Sequence, residues 1–172
     1  MNFSKTVTVP TVMNQNSAND THGFSVWIAL GAGLFIVALT LSAIVDPRLR
    51  ALHPLQAMIY VAVILLTYRK MPEGFGAAVT IAVAWNSLGL FITHLIQVGL
   101  RLWWSLLTTG QVRRLDTMMV ALGGVAHFIL IVACAAGFLK LQPRKREWIR
   151  FAAGAVGVLV YFALIVIIAA PR

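Results

Sequence analysis

Residues Gly76 to Leu100 read GAAVTIAVAWNSLGLFITHLIQVGL and run directly into Arg101. The stretch is long enough to cross a bilayer, yet Asn86, Thr93, His94 and Gln97 interrupt its Ile, Val, Leu, Ala and Trp. On a continuous helix, with each residue turned by roughly 100°, Asn86, Thr93, Gln97 and Arg101 fall within about 80° of one another, and His94 lies at the margin. A polar stripe of this kind is costly in hydrocarbon. It is therefore expected to face a protein interior, a cofactor or water. The fold class that follows is all-α, an integral membrane helical bundle with a polar interior.

The rest of the composition agrees. Of 172 residues, 60% are hydrophobic and 11% charged, and the mean hydropathy is +0.87. A soluble domain of this length needs a larger polar coat. Asp20, Asp46, Glu73, Asp116 and Glu147 all lie in the N-terminal tail or in short polar breaks. Lys and Arg cluster in the same breaks, so the net charge of +9 belongs to loops that flank apolar runs. Such groups meet lipid headgroups and set topology, which argues for the bilayer and against nucleic acid as the partner. Cys134 is the only cysteine, so no intrachain disulfide or multi-cysteine metal site can form. Met1 to His22 is polar and lacks the apolar core and cleavage site of a secretory signal. It reads as a flexible tail, residues 1–22, ahead of a single transmembrane domain, residues 23–172.

About 20 apolar residues cross the hydrocarbon. Phe24 to Val45 meets this, and Asp46-Pro47-Arg48-Leu49-Arg50 ends it, because proline cannot continue the ladder and arginines prefer headgroups. Leu55 to Tyr68 is shorter, and Arg69 to Gly74 breaks the chain again. Phe75 to Leu100 is followed by the interfacial pair Trp103-Trp104 and the polar turn Thr108 to Asp116. Thr117 to Leu139 and Phe151 to Ala170 complete the set, separated by the basic loop Lys140 to Arg150. Five transmembrane helices are expected, or four if Leu55 to Tyr68 inserts only halfway. The positive-inside bias puts the Lys140–Arg150 loop in the cytoplasm. Lys5, Arg69, Lys70, Lys140, Arg144, Lys145, Arg146 and Arg150 then lie inside, against Arg48, Arg50, Arg101, Arg113, Arg114 and Arg172 outside. The expected location is a bacterial cytoplasmic (inner) membrane, multi-pass, N-in and C-out. No internal repeat is visible, which argues against an inverted-repeat transporter.

In the second span His53, Gln56, Tyr60 and Thr67 fall within an arc of about 60°. In the fourth, Asp116, Val120, Gly123, His127, Cys134 and Phe138 share one face. Spans two, three and four are thus expected to turn their polar faces together, leaving spans one and five to lipid. Alternating spans place His53, His94 and His127 in the same half of the bilayer. Two histidines at similar depth on adjacent helices are how a b-type haem is held, so His94 and His127 are candidate axial ligands. Gly123 would leave room for the porphyrin edge, and Arg101 could pair with a propionate. Part of the chain also resembles the haem-binding helix of succinate dehydrogenase and fumarate reductase membrane anchors. The residues concerned are His94, Gly99, Arg101 and Trp103-Trp104, with His94 and Gly99 five apart where the family has four. The resemblance implies haem b and quinone-linked electron transfer.

Other chemistry lacks its residues. Diiron enzymes need clustered His motifs, thiol-redox enzymes a second cysteine, and cation exporters a membrane-embedded carboxylate; the sequence has none of these. Asn86-Ser87-Leu88-Gly89 is a poor match to an intramembrane serine protease. The leading expectation is a non-catalytic accessory or structural subunit, partnered by other membrane subunits or by copies of itself. Haem-based electron transfer is the first alternative. A small transporter or oligomeric channel, with Asn86, Thr93 and Gln97 lining a neutral path, is the second.

Overall fold

The structure is a computed structural model that describes residues 15–46, 50–112 and 114–169. Residues 1–14, most of the expected tail, lie outside the described residues. Every regular element among the described residues is helical: α1 (Gln15–Val45), α2 (Leu52–Tyr68), α3 (Pro72–Ser87), a π-helical turn (Leu88–Ile92), α4 (Leu95–Thr109), α5 (Leu115–Lys140) and α6 (Lys145–Ala169). Helix α1 begins ahead of Gly23, so its first turns reach into the segment expected to be tail. Among the described residues, four stretches are long and apolar enough to cross a membrane: Gly23–Val45, Pro72–Ile92, Leu115–Lys140 and Lys145–Ile165. The fifth apolar helix, α2, has 17 residues, a length of about 25 Å.

Contacts along the helices fix their directions. Phe24 packs beside Gly137 and Phe35 against Gly123, so α1 and α5 are antiparallel. His53 reaches Leu39, while Thr67 shares a small cavity with Phe24, so α2 runs back along α1. Phe75 meets Phe138 and Asn86 meets Gly124, so α3 is antiparallel to α5. Tyr161 bonds Leu55 near the start of α2, while Gly154 meets Glu73 beside the end of α2, where Gly74 packs on Leu66 and Thr67, so α6 is antiparallel to α2. The chain therefore traverses the bundle in alternating directions, as short loops between apolar helices require.

Two glycines set the closest helix approach. A side chain at Gly76 would collide with the backbone carbonyl of Phe151, and one at Gly154 with that of Glu73. Beside this α3–α6 crossing, Glu73 accepts two bonds from Arg150, at 2.6 and 3.0 Å. Phe138 packs edge-on to Trp148 and tilted against Phe151, with centroids 5.0 and 4.7 Å apart, fastening the same end of α6 to α5. Beyond this end α6 is mostly uncovered.

The third span is not one helix. The α-helical ladder ends at Ser87, continues as a π turn to Ile92, and stops at His94, whose φ of 55° and ψ of 10° are left-handed. Gly89 permits the break: the Ile96 side chain occupies the space where a Cβ at Gly89 would lie. Helix α4 then restarts with a new phase. Ile96, Gly99 and Trp103 turn toward α5, where Gly99 touches the Thr117 backbone and Trp103 Nε1 donates to Met118 O at 2.9 Å. The single stripe expected from Asn86 through Thr93 and Gln97 to Arg101 therefore does not form. Asn86 is buried, whereas Thr93, Gln97 and Arg101 are exposed.

Candidate functional site

The interior polar site lies where α1, α2, α3 and α5 meet. Its centre is Tyr60 Oη, 2.7 Å from His127 Nε2. Tyr60 comes from α2 and His127 from the middle of α5, and both are fully enclosed. Either Tyr60 donates its O–H to Nε2 or the imidazole donates N–H to the phenol oxygen. In both arrangements His127 Nδ1 has no partner. Phe35 of α1 lies over both rings, with centroids 4.1 Å from His127 and 4.5 Å from Tyr60, and Trp85 of α3 closes the edge of the cluster at 6.1 Å from His127.

Polar groups continue above and below this pair. Gln56, one turn before Tyr60, is buried with Oε1 unpartnered. Asn86 Nδ2 donates to Gly124 O, one turn before His127, at 3.4 Å, and its Oδ1 has no partner. His53 Nδ1 lies 2.8 Å from Leu39 O, a bond that holds α2 to α1. A cavity of about 40 Å³ is lined by His53, Ser42, Phe35 and Trp85 among others. That volume accommodates a bound water. Thr67 bonds back to the Val63 carbonyl on its own helix.

His53, Gln56, Tyr60, Asn86 and His127 thus lie in one interior. Thr93, His94, Gln97 and Arg101 lie outside it. Thr93 Oγ1 donates to Leu88 O at 3.2 Å, a carbonyl that also accepts the Thr93 backbone N–H, and Gln97 Nε2 donates to Leu90 O at 3.1 Å, so both side chains bond backbone at the helix break. These polar residues are in an apolar segment because the segment is interrupted. His94 is exposed at the break, while His127 is 0% exposed with Nε2 engaged by Tyr60 and one ring face covered by Phe35. The axial pair expected for haem b is not brought together, and Arg101 is exposed outside this interior. The arrangement does not fit a porphyrin between these histidines.

Phe35 and Trp85 were not distinguishable in the sequence from other aromatic residues of apolar runs. The first span was expected to meet lipid and to shield the polar centre; Phe35 goes further and forms part of that centre. The absence of a side chain at Gly31 and Gly123 lets α1 settle onto α5 and carry Phe35 inward.

His94 offers a direct test of the break. A left-handed conformation costs a residue with a Cβ roughly 1–2 kcal/mol, and glycine escapes most of this. His94→Gly is expected to leave the bundle equally stable or to stabilise it by up to about 1 kcal/mol in thermal or SDS unfolding. A loss of that size instead would mean the imidazole has a structural partner.

The class defined so far is a helical membrane bundle with a closed polar–aromatic centre and an interrupted third segment. Comparison with protein-family models, curated proteins and solved structures finds no match to this chain.

Proposed function

We propose that this chain is a non-catalytic subunit of a membrane assembly, whose interior polar groups fasten its own helices and whose surface at the α3–α4 break is covered by another protein subunit. The reading is supported above all by the depth and exposure of that break. Trp103 bonds at the level of Met118, and an indole of this kind marks the membrane boundary. Ile96 and Asn86 both pack at Gly124, about 9 Å further along α5. The break thus belongs inside the hydrocarbon. Helix α5 supports the same placement, since its 26 residues span about 39 Å around a core of about 30 Å.

Irregular backbone at that depth is tolerated only where protein or water covers it. Here Phe91 and Ile92 are 75% and 72% exposed, with Thr93, His94 and Gln97 exposed beside them. The exposed Phe91 and Ile92 favour a packed protein neighbour over a water-lined cleft. The neutral stripe that a channel would need is divided between the interior and this surface. For location, the end of the bundle holding Arg69, Lys70, Lys140, Arg144, Lys145, Arg146 and Arg150 is assigned to the cytoplasm. This gives an N-in, C-out protein of the bacterial inner membrane.

Native mass spectrometry after extraction in lipid nanodiscs tests the reading. A complex heavier than one chain is expected, and Ile92→Lys should release the monomer while leaving its helicity and unfolding midpoint unchanged. Wild-type protein recovered only as a folded monomer from its native membrane would refute the proposal.

A further inference from the structure

We propose that the groove between α2 and α6 binds one acyl chain of an anionic glycerophospholipid, whose phosphate is held by Arg69 and Arg146. The groove has a volume of about 310 Å³ and is walled by Met58, Ala62, Leu66, Gly157, Val158 and Tyr161. Gly157 keeps it open, since a side chain there would meet nothing within 4 Å. At the far end the Tyr161 hydroxyl donates to Leu55 O, so the wall presents hydrocarbon. From Met58 to Leu66 the groove runs about 12 Å. A helix is about 10–12 Å across and would need several times this volume over that length. A single hydrocarbon chain is the occupant of matching size.

Charge identifies the headgroup. Following the groove-lining face of α2 past Leu66 leads to Arg69. Following that of α6 back from Gly157 leads through Gly154 and Arg150 to Arg146. Both arginines are exposed, at the same end of the bundle, and neither is paired with a carboxylate among the described residues. The acids nearby are engaged. Glu73 is held by Arg150, and Glu147 accepts the backbone N–H of Arg144 at 2.6 Å. A zwitterionic headgroup would therefore find several cations for its phosphate, and for its own cation only Glu147, which already accepts an N–H, among the described residues. An anionic one matches both guanidiniums, and basic pockets between transmembrane helices are a recognised setting for such lipids.

The test uses the full chain in mixed phosphatidylglycerol and phosphatidylcholine, with native mass spectrometry of the lipid that stays bound. Wild type should retain phosphatidylglycerol in clear excess over the bulk ratio. Replacing the arginines should reduce that preference by about fivefold each, so that Arg69→Gln with Arg146→Gln approaches parity. Gly157→Phe and, on the opposite wall, Ala62→Phe should each abolish retention of either lipid while the helical signal persists. Equal retention of the two lipids by wild type would overturn the proposal. So would an unchanged preference in the double Gln variant, undiminished retention in both groove-filling variants, or a dimer of this chain that fills the groove and carries no lipid.

Discussion

Gly76→Ala and Gly154→Ala are each expected to destabilise the bundle by about 2 kcal/mol or more, whereas Gly33→Ala and Gly157→Ala are expected to be neutral or stabilising. The four substitutions add the same methyl group to helices. At Gly76 and Gly154 the new carbon would land on a carbonyl of the facing helix, and backbone cannot turn aside as a side chain can. Relief requires α3 and α6 to separate, which loosens the Glu73–Arg150 pair and the Phe138–Trp148–Phe151 cluster together. At Gly33 and Gly157 nothing lies within 4 Å, so only the better helix propensity of alanine remains, worth roughly 0.5–1 kcal/mol. Unfolding midpoints in one detergent, followed by far-UV circular dichroism, would rank all four. Equal effects at the four positions would show that the close α3–α6 crossing is not present in the protein.

How far the sequence disclosed this architecture depended on the kind of signal. Apolar length and the punctuation at Asp46-Pro47 and Arg69 to Gly74 depend on the bilayer and on proline and charge, so the helices of the bundle were legible. The inward face of α2 was legible for the same reason. A regular helix keeps its phase, and His53, Gln56 and Tyr60 stayed together. The third segment was not, because its period is valid only while the ladder is continuous. One π turn and one left-handed residue at His94 reset the phase, dividing Asn86 from Gln97. Gly89 was the available signal, since a glycine within an apolar run marks a place where another group comes close. Phe35 gave no comparable sign. Its role arises from α1 packing against α5, and a single aromatic in an apolar stretch does not declare which neighbour it will cover.

If the interior polar groups act as a fastening, the Tyr60–His127 bond should show strong coupling in a double-mutant cycle. Tyr60→Phe removes the hydroxyl and leaves both imidazole nitrogens enclosed without partners, an expected cost of about 1–3 kcal/mol. His127→Leu leaves the phenol O–H buried and unanswered, and it also removes the ring that packs on Phe35, with a similar or larger loss. The double variant carries neither orphan. Its centre would be Phe, Leu, Phe35 and Trp85, an apolar packing of comparable size. It should therefore be more stable than either single variant and approach wild type, with a coupling energy of about 1–2 kcal/mol. The same double variant separates two meanings of a buried polar pair. A pair kept for fastening can be replaced by hydrocarbon, and the assembly seen in native mass spectrometry should persist. A pair kept for moving protons or holding a ligand cannot, so a stable double variant that loses its biological activity while remaining in the assembly would place chemistry at His127. Strictly additive losses would instead mean that the 2.7 Å contact contributes nothing to holding α2 against α5.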